Sequence, residues 1–286
     1  MRYLKYLSVA GIRIQIESAE ALGENEEFSP FLTEECDADV CVTVRKVDSL
    51  PQKPHKVLYR DLFCSIGYNR NGDLQKFFAV NGNGAEPAIV STYFPDGKHI
   101  LVEHLPRQLD LQTCFYCLGF ESILLSRNSI SLHASCVDTQ YGGILFSGVS
   151  GAGKSTQADL WQQYRGARPI NGDRPILSRD GKLWQAWGSP YAGSSKVYVN
   201  DRCCVTAVVF PRKATACSLR KLPAAEAFRK IWEGLTVRSW DAAFVDKASM
   251  LAMDLITSVP VYEFACTADQ AAVAFLEEEL RKELIL

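Results

Sequence analysis

The sequence predicts an α/β fold of mixed α+β character, with a β-rich N-terminal part and a C-terminal part in which strands and helices alternate. Three observations predict it. Ile12, Ile14 and Ile16, and again Val40, Val42 and Val44, alternate with the period of two that a half-buried strand requires. The turn pairs Asn71-Gly72 and Asp96-Gly97 punctuate further apolar stretches, as hairpin turns do. Past residue 108, short apolar runs alternate with longer helical patterns, and a glycine-rich loop joins one run to the helix after it. The expected regions are 1–108, β-rich and without a chemical motif, and 109–286.

Taken in order, the first region adds apolar stretches at Leu74 to Val80 and at His99 to Val102. A helix is expected over 109–127, with Asp110 near its start as a capping residue. A strand at Ser131 to Val137 follows, then the run Ile144 to Ser147, the glycine loop, and a helix from Thr156 to Tyr164 carrying Ala158, Leu160, Trp161 and Tyr164. Short strands are expected at Ile176 to Ser178, Leu183 to Trp187, Val197 to Val199 and Cys204 to Phe210. Helices are expected at Ala224 to Glu233, Ser239 to Ile256 and Ala268 to Leu284, with a strand at Val261 to Cys266 between the last two.

Composition removes several function classes. With 31 basic and 33 acidic residues there is no global attraction for nucleic acid or for an anionic membrane. No apolar run reaches the roughly 18 residues that a membrane span needs. Lys5 and Arg13 bracket a stretch too short for a secretory signal, and the isoleucines alternate as in a strand, so a cytoplasmic location is expected. The 10 cysteines lack paired C-x-x-C spacing and mostly sit singly in apolar runs, which reads as buried free thiols. Cys114 and Cys117 share a helical apolar pattern and read as core. His55, His99 and His104 read as surface or structural histidines.

The chemistry concentrates in Gly148-Val149-Ser150-Gly151-Ala152-Gly153-Lys154-Ser155-Thr156, which meets every fixed position of the Walker A loop, G-x-x-x-x-G-K-[ST]. Gly148, Ser150, Gly151, Ala152 and Gly153 can curl the backbone so that successive N–H groups face phosphate oxygens, and the helix dipole that follows favours the same anion. Lys154 would reach the β- and γ-phosphates. Ser155 would hold magnesium through its hydroxyl, beside Thr156. The expected ligand is a nucleoside triphosphate, with ATP and Mg2+ as the pair.

Phosphoryl transfer also needs a carboxylate near the metal and a group that orients or deprotonates the acceptor. The ordinary Walker B solution fails here, because the best apolar run, Val208-Val209-Phe210, ends in Pro211. The nearest candidate is Asp173 in Asn171-Gly172-Asp173-Arg174, where a returning strand would approach the phosphates.

Leu132-His133-Ala134-Ser135, the Gly142 to Thr156 block, Asn171-Gly172-Asp173-Arg174 and Gly188-Ser189-Pro190-Tyr191-Ala192-Gly193 occur in the order seen in bacterial HPr kinase/phosphorylase and its phosphoenolpyruvate carboxykinase-like relatives. The chain resembles that group over about residues 130–200. The resemblance implies a carboxykinase-type P-loop nucleotide-binding domain. It implies Lys154 as phosphate lysine, Ser155 and Asp173 as metal ligands, Asp173 as proton acceptor and His133 near the phosphates. Arg174 either stabilises phosphate charge or occupies a surface turn. The family kinase has two adjacent acids where this chain has Gly172-Asp173. Asp173 then serves alone, or another acid such as Asp138 or Asp180 completes the site.

The segment Gly188 to Lys196 reads as a loop at the mouth of the site or as a polar connection. Arg212-Lys213 and Arg220-Lys221, which flank a short strand, read as a solvated face, with a dock for an acidic substrate as the alternative. The function expected is ATP- and magnesium-dependent transfer of a γ-phosphate to a hydroxyl, a serine of a protein or peptide or a small molecule. No nucleic-acid or membrane partner is expected, and oligomerisation is left open. The alternatives are a non-catalytic nucleotide-binding regulator and a phosphoenolpyruvate carboxykinase-like enzyme.

Overall fold

A computed structural model describes residues 2–79 and 86–284. Val80, the predicted end of one apolar stretch, lies outside the described residues. The protein is mixed α/β and divides into two compact units, Met1–Ile123 and Leu124–Leu286. The helical segment after residue 108 therefore packs largely with the first unit, whereas the sequence assigns it to the second region.

The first unit is built on one mixed sheet. Its described strands are β1 (Tyr3–Val9), β2 (Ile12–Ser18), β3 (Leu32–Thr33), β4 (Val40–Lys46), β5 (Lys56–Arg60), β6 (Cys64–Tyr68), β7 (Leu74–Phe78), β8 (Ile89–Tyr93) and β9 (His99–His104). Their order is β3-β1-β2-β4-β9-β8-β7-β6-β5, with β2–β4 and β4–β9 parallel. Ile14 and Ile16 face the core with Val40, Val42 and Val44, as their alternation requires. The expected single helix over 109–127 is instead two, α1 (Leu111–Cys117) and α2 (Phe120–Ser126). Gly119 at φ 60° takes the left-handed conformation that ends the first, so the break is a backbone event invisible to apolar periodicity. Asp110 caps α1 by accepting from the Thr113 N–H at 2.7 Å. Cys114 and Cys117 are buried, and burial pushes the Cys114 thiol up to about 12, so it is inert.

The second unit is a helix–sheet–helix sandwich. Its described strands are β10 (Ser129–Ser131), β11 (Ala134–Thr139), β12 (Gly142–Ser147), β13 (Arg168–Asn171), β14 (Ile176–Asp180), β15 (Leu183–Trp187), β16 (Arg202–Lys213), β17 (Ser218–Lys221) and β18 (Val261–Cys266). The main order is β10-β14-β15-β16-β12-β11-β13, and β18 adds to β16 and carries β17. The helices are α3 (Lys154–Arg165), α4 (Ala224–Gly234), α5 (Ala242–Ser258) and α6 (Gln270–Leu284). Ile144 and Phe146 on one face of β12 pack with Trp161 of α3 and Leu276 of α6. Leu145 on the other face packs with Ile231 of α4 and Leu255 of α5. Each buried Phe, Leu or Ile contributes about 1.5–3 kcal/mol, so both faces are held strongly. No helix among the described residues is long and apolar enough to cross a membrane.

Three expectations are corrected. Ser131 to Val137 is not one strand: the chain leaves β10, which pairs with β14, and passes through Leu132-His133 into β11, which pairs with β12 and β13. Val197 to Val199 forms only a bridge from Tyr198 to Asn171. The strand expected to stop at Phe210 continues through Pro211 to Lys213. There β16 pairs with β18 on one side, while its ladder with β12 ends at Phe146 opposite Val209, so the missing proline N–H costs no bond to β12.

Candidate functional site

β12 and β16 run parallel, β11 runs opposite, and β13 opposite again. This pattern brings the end of β12, the start of β11, the end of β13 and the end of β16 to one edge of the sheet. The phosphate loop, His133, the Asn171–Arg174 turn and Phe210–Lys213 all stand there.

The loop joins β12 to α3, and Gly148, Gly151 and Gly153 adopt φ values of 140°, 78° and 105°. Only glycine occupies such conformations without strain, and space around Gly151 and Gly153 is open within 4 Å of any added Cβ. The sequence therefore selects a tight cradle whose backbone is accessible from outside. Lys154, at the start of α3, turns back and donates to the Gly148 and Val149 carbonyls at 3.0 and 3.3 Å. Burial lowers its pKa, the Asp173 carboxylate raises it, and the Arg174 guanidinium lowers it again. Ser155 and Thr156 are exposed on the first turn, as is Ser150 in the loop.

His133 is fixed by backbone contacts. Its N–H donates to the Gly234 carbonyl at 2.8 Å, and the Ser147 hydroxyl donates to its carbonyl at 2.9 Å. Its Nε2 lies 3.2 Å from Asp173 Oδ1. Burial and the Lys154 ammonium lower its pKa, the Asp173 carboxylate raises it, and the net direction is down from the ordinary 6.5. With a proton on Nε2 the imidazole donates to Asp173.

Asp173 is aimed by a turn built on Asn171. The buried Asn171 side chain accepts from the N–H groups of Asp173 and Arg174 at 3.0 and 2.6 Å. Its amide donates to the Ser189 carbonyl at 3.0 Å. The Ala134 N–H donates to the Asp173 carbonyl at 2.9 Å, tying the turn to β11. Arg174 Nε stands 4.0 Å from Asp173 Oδ2, and its Nη1 donates to the Thr236 hydroxyl at 3.0 Å.

Gly188 to Lys196 packs directly on this turn. A Cβ added to Gly172 would lie 1.6 Å from Ser195 Oγ and 2.5 Å from Ser195 Cβ, so no side chain fits at 172 while that segment stays in place. A Cβ on Gly193 would stand 3.0 Å from Asp173 Cβ and Cγ. Ser195 thus fills the space that a second acid would need. Nor do the other candidate acids reach the site. Asp138 lies four residues into β11, about 13 Å beyond its start, and pairs with Arg168 at 2.9 Å. Asp180 closes β14 and pairs with Arg202 at 3.4 Å.

On the flank of the loop away from Asp173 opens a cleft of about 480 Å³. It is lined by His133, Ser147 to Ala152, Phe210 to Lys213, Lys230, Glu233, Gly234 and Glu263. Arg212 and Lys213, expected on a merely solvated face, stand in its wall. Sequence reasoning held a dock for an acidic substrate there only as the alternative, and it missed Lys230 and the positioning roles of Asn171 and Ser189. The signal for Arg212 and Lys213 was their place directly after the apolar strand that should carry a Walker B acid.

No family model matches the chain, and no curated protein matches it. Among solved structures, the HPr(Ser) kinase/phosphatase from Coxiella burnetii is similar at 11% identity and a TM-score of 0.33, over 54% of this chain and 90% of that one. A likeness of that size is at most a distant fold relationship, so function is argued from the residues themselves.

Proposed function

We propose that this protein is an ATP- and magnesium-dependent phosphotransferase whose second unit is a P-loop domain of the HPr kinase-like kind, moving a γ-phosphate to a hydroxyl acceptor. One observation carries the reading: a cradle of left-handed glycines between β12 and α3 shares its sheet edge with a carboxylate that stands 3.2 Å from a histidine ring nitrogen. A phosphate binder needs only the first, and a transferase needs both.

In this reading the backbone N–H groups of the loop, with Lys154, hold the β- and γ-phosphates. Lys154 exchanges two neutral carbonyl acceptors for phosphate oxygens, which makes stronger, charge-assisted bonds. Ser155 and Asp173 would hold magnesium. They suit an ion that keeps several waters and takes only one or two protein oxygens, and no cluster of three or more metal-binding side chains occurs among the described residues. Bound there, the ion would neutralise phosphate charge. Asp173 accepts the acceptor's hydroxyl proton, His133 orients that carboxylate through Oδ1, and Arg174 places positive charge beside it.

Purified protein with magnesium and γ-labelled ATP is expected to label a band or a small molecule in lysate fractions, and Lys154→Ala is expected to abolish the label. Equal incorporation by wild type and variant overturns the proposal. A second reading, nucleotide binding without transfer, is favoured by the single carboxylate and the filled space at Gly172. It predicts a rise in melting temperature with magnesium-ATP and no labelled product.

A further inference from the structure

We infer that the acceptor carries, besides its hydroxyl, an anionic group of carboxylate or phosphate type, and that Arg212 and Lys213 bind this group in the cleft beside the phosphate loop. This rests on the phosphotransferase reading and adds the chemical class of the acceptor.

The charges of the cleft wall make the case. Its two carboxylates are already engaged: Glu233 pairs with Arg229 at 3.3 Å, and Glu263 with Arg220 at 3.3 Å and Lys230 at 3.5 Å. Lys230 is engaged in turn, since its ammonium also lies 5.3 Å from the centre of the Phe210 ring. Arg212 and Lys213 form no ion pair among the described residues, although acids are as numerous as bases in the chain. They extend from the carboxyl end of β16, the strand parallel to β12, where ligands of α/β sheets characteristically dock. A Walker B acid at this strand end would serve a metal, and two cations there serve an oxyanion instead.

The cleft is continuous with the phosphate cradle, since Gly148 to Ala152 form part of its lining, and it extends from them toward β16. Asp173 follows β13, on the other side of β12 from β16, and His133 links the two sides, lining the cleft while standing 3.2 Å from Asp173. An acceptor gripped through its anion at Arg212 and Lys213 would lie across the mouth of the loop, with its hydroxyl toward His133 and Asp173. Transfer then forms the bond from acceptor oxygen to γ-phosphorus, breaks the bond from γ-phosphorus to the β–γ bridging oxygen, sends the hydroxyl proton to Asp173 and releases the nucleoside diphosphate.

The test is calorimetry on full-length protein with two probes, a non-hydrolysable ATP analogue with magnesium and inorganic phosphate as stand-in for the anion. Phosphate is expected to bind wild type already saturated with the analogue. The double variant Arg212→Gln/Lys213→Gln is expected to lose roughly a hundredfold in phosphate affinity, about tenfold per cation, while its affinity for the analogue stays within about twofold. Both side chains are exposed, so an unchanged melting temperature accompanies this result. Failure of phosphate to bind saturated wild type overturns the inference. So does an equal loss of analogue affinity in the double variant, which would assign both cations to the nucleotide. If wild type fails to bind the analogue but still binds phosphate through Arg212 and Lys213, and Lys154→Ala binds phosphate equally, the anion site stands and the phosphotransferase reading falls.

Discussion

The two units contain hollows of nearly the same size and differ in what faces into them. In the first, a hollow of about 470 Å³ is lined by Pro51 to His55, Asn69 to Asn71 and Gln75, and another of about 460 Å³ by Ser18, Glu20 to Leu22, Lys46, His104 and Arg107 to Leu109. In the second, about 480 Å³ opens beside left-handed glycines, a histidine and two cations without ion-pair partners among the described residues. Volume is therefore not what distinguishes a site. Some charges of the first unit close on each other, as Lys46 does on Glu20 at 2.9 Å and Arg13 on Asp39 at 3.4 Å, and although Arg70 and Arg107 line its hollows without an ion pair among the described residues, no glycine cradle stands beside them. Its buried His104 spends Nδ1 on the Leu105 carbonyl at 2.9 Å. In the second unit, chain reversal brings unlike chemistry from four strand ends to one edge.

The comparison breaks most visibly at Lys154. Lys154→Ala is expected to remove transfer altogether, a loss of at least roughly a hundredfold, without unfolding either unit. Next comes Asp173→Asn, expected to lower turnover by roughly a hundred- to ten-thousandfold while the affinity for a non-hydrolysable ATP analogue changes little. Equal losses in turnover and affinity would make Asp173 a binding residue only.

Gly172→Ala tests the packing that excludes a second acid. Placing a Cβ 1.6 Å from Ser195 Oγ is expected to cost about 1–3 kcal/mol in denaturant unfolding, and the double variant Gly172→Ala/Ser195→Gly to recover most of it. The smallest effect is expected in the first unit. The side-chain hydrogen bond from His99, helped by the backbone N–H groups of His99 and Lys98, lowers the Asp96 pKa from 3.8 to about 2. A carboxyl depressed on folding adds stability above its unfolded pKa and loses it as pH falls through the folded one. Asp96→Asn is therefore expected to flatten the stability profile between pH 3.8 and about 2 while leaving transfer at neutral pH unchanged.

Periodicity carried much of the fold. β15 and β18 lie at their expected bounds, Leu183–Trp187 and Val261–Cys266, because both are short apolar runs closed by turn residues. The split of α1 from α2 was not legible, since Gly119 breaks the helix without disturbing the apolar pattern. Nor was the Leu132-His133 crossing between sheet paths, since every residue there still reads as strand.

For the site, the identities of the cradle were written in the chain: glycines at 148, 151 and 153 specify left-handed backbone by local sterics alone, and Lys154-Ser155 follow at fixed spacing. Local rules reach no further. That His133 touches Asp173, that Ser195 fills the space beside Gly172, that Asp138 stands at the wrong end of its strand and that Arg212 and Lys213 face the cleft are consequences of strand order and direction. Those depend on how distant apolar faces bury one another, a long-range balance that no window of sequence contains.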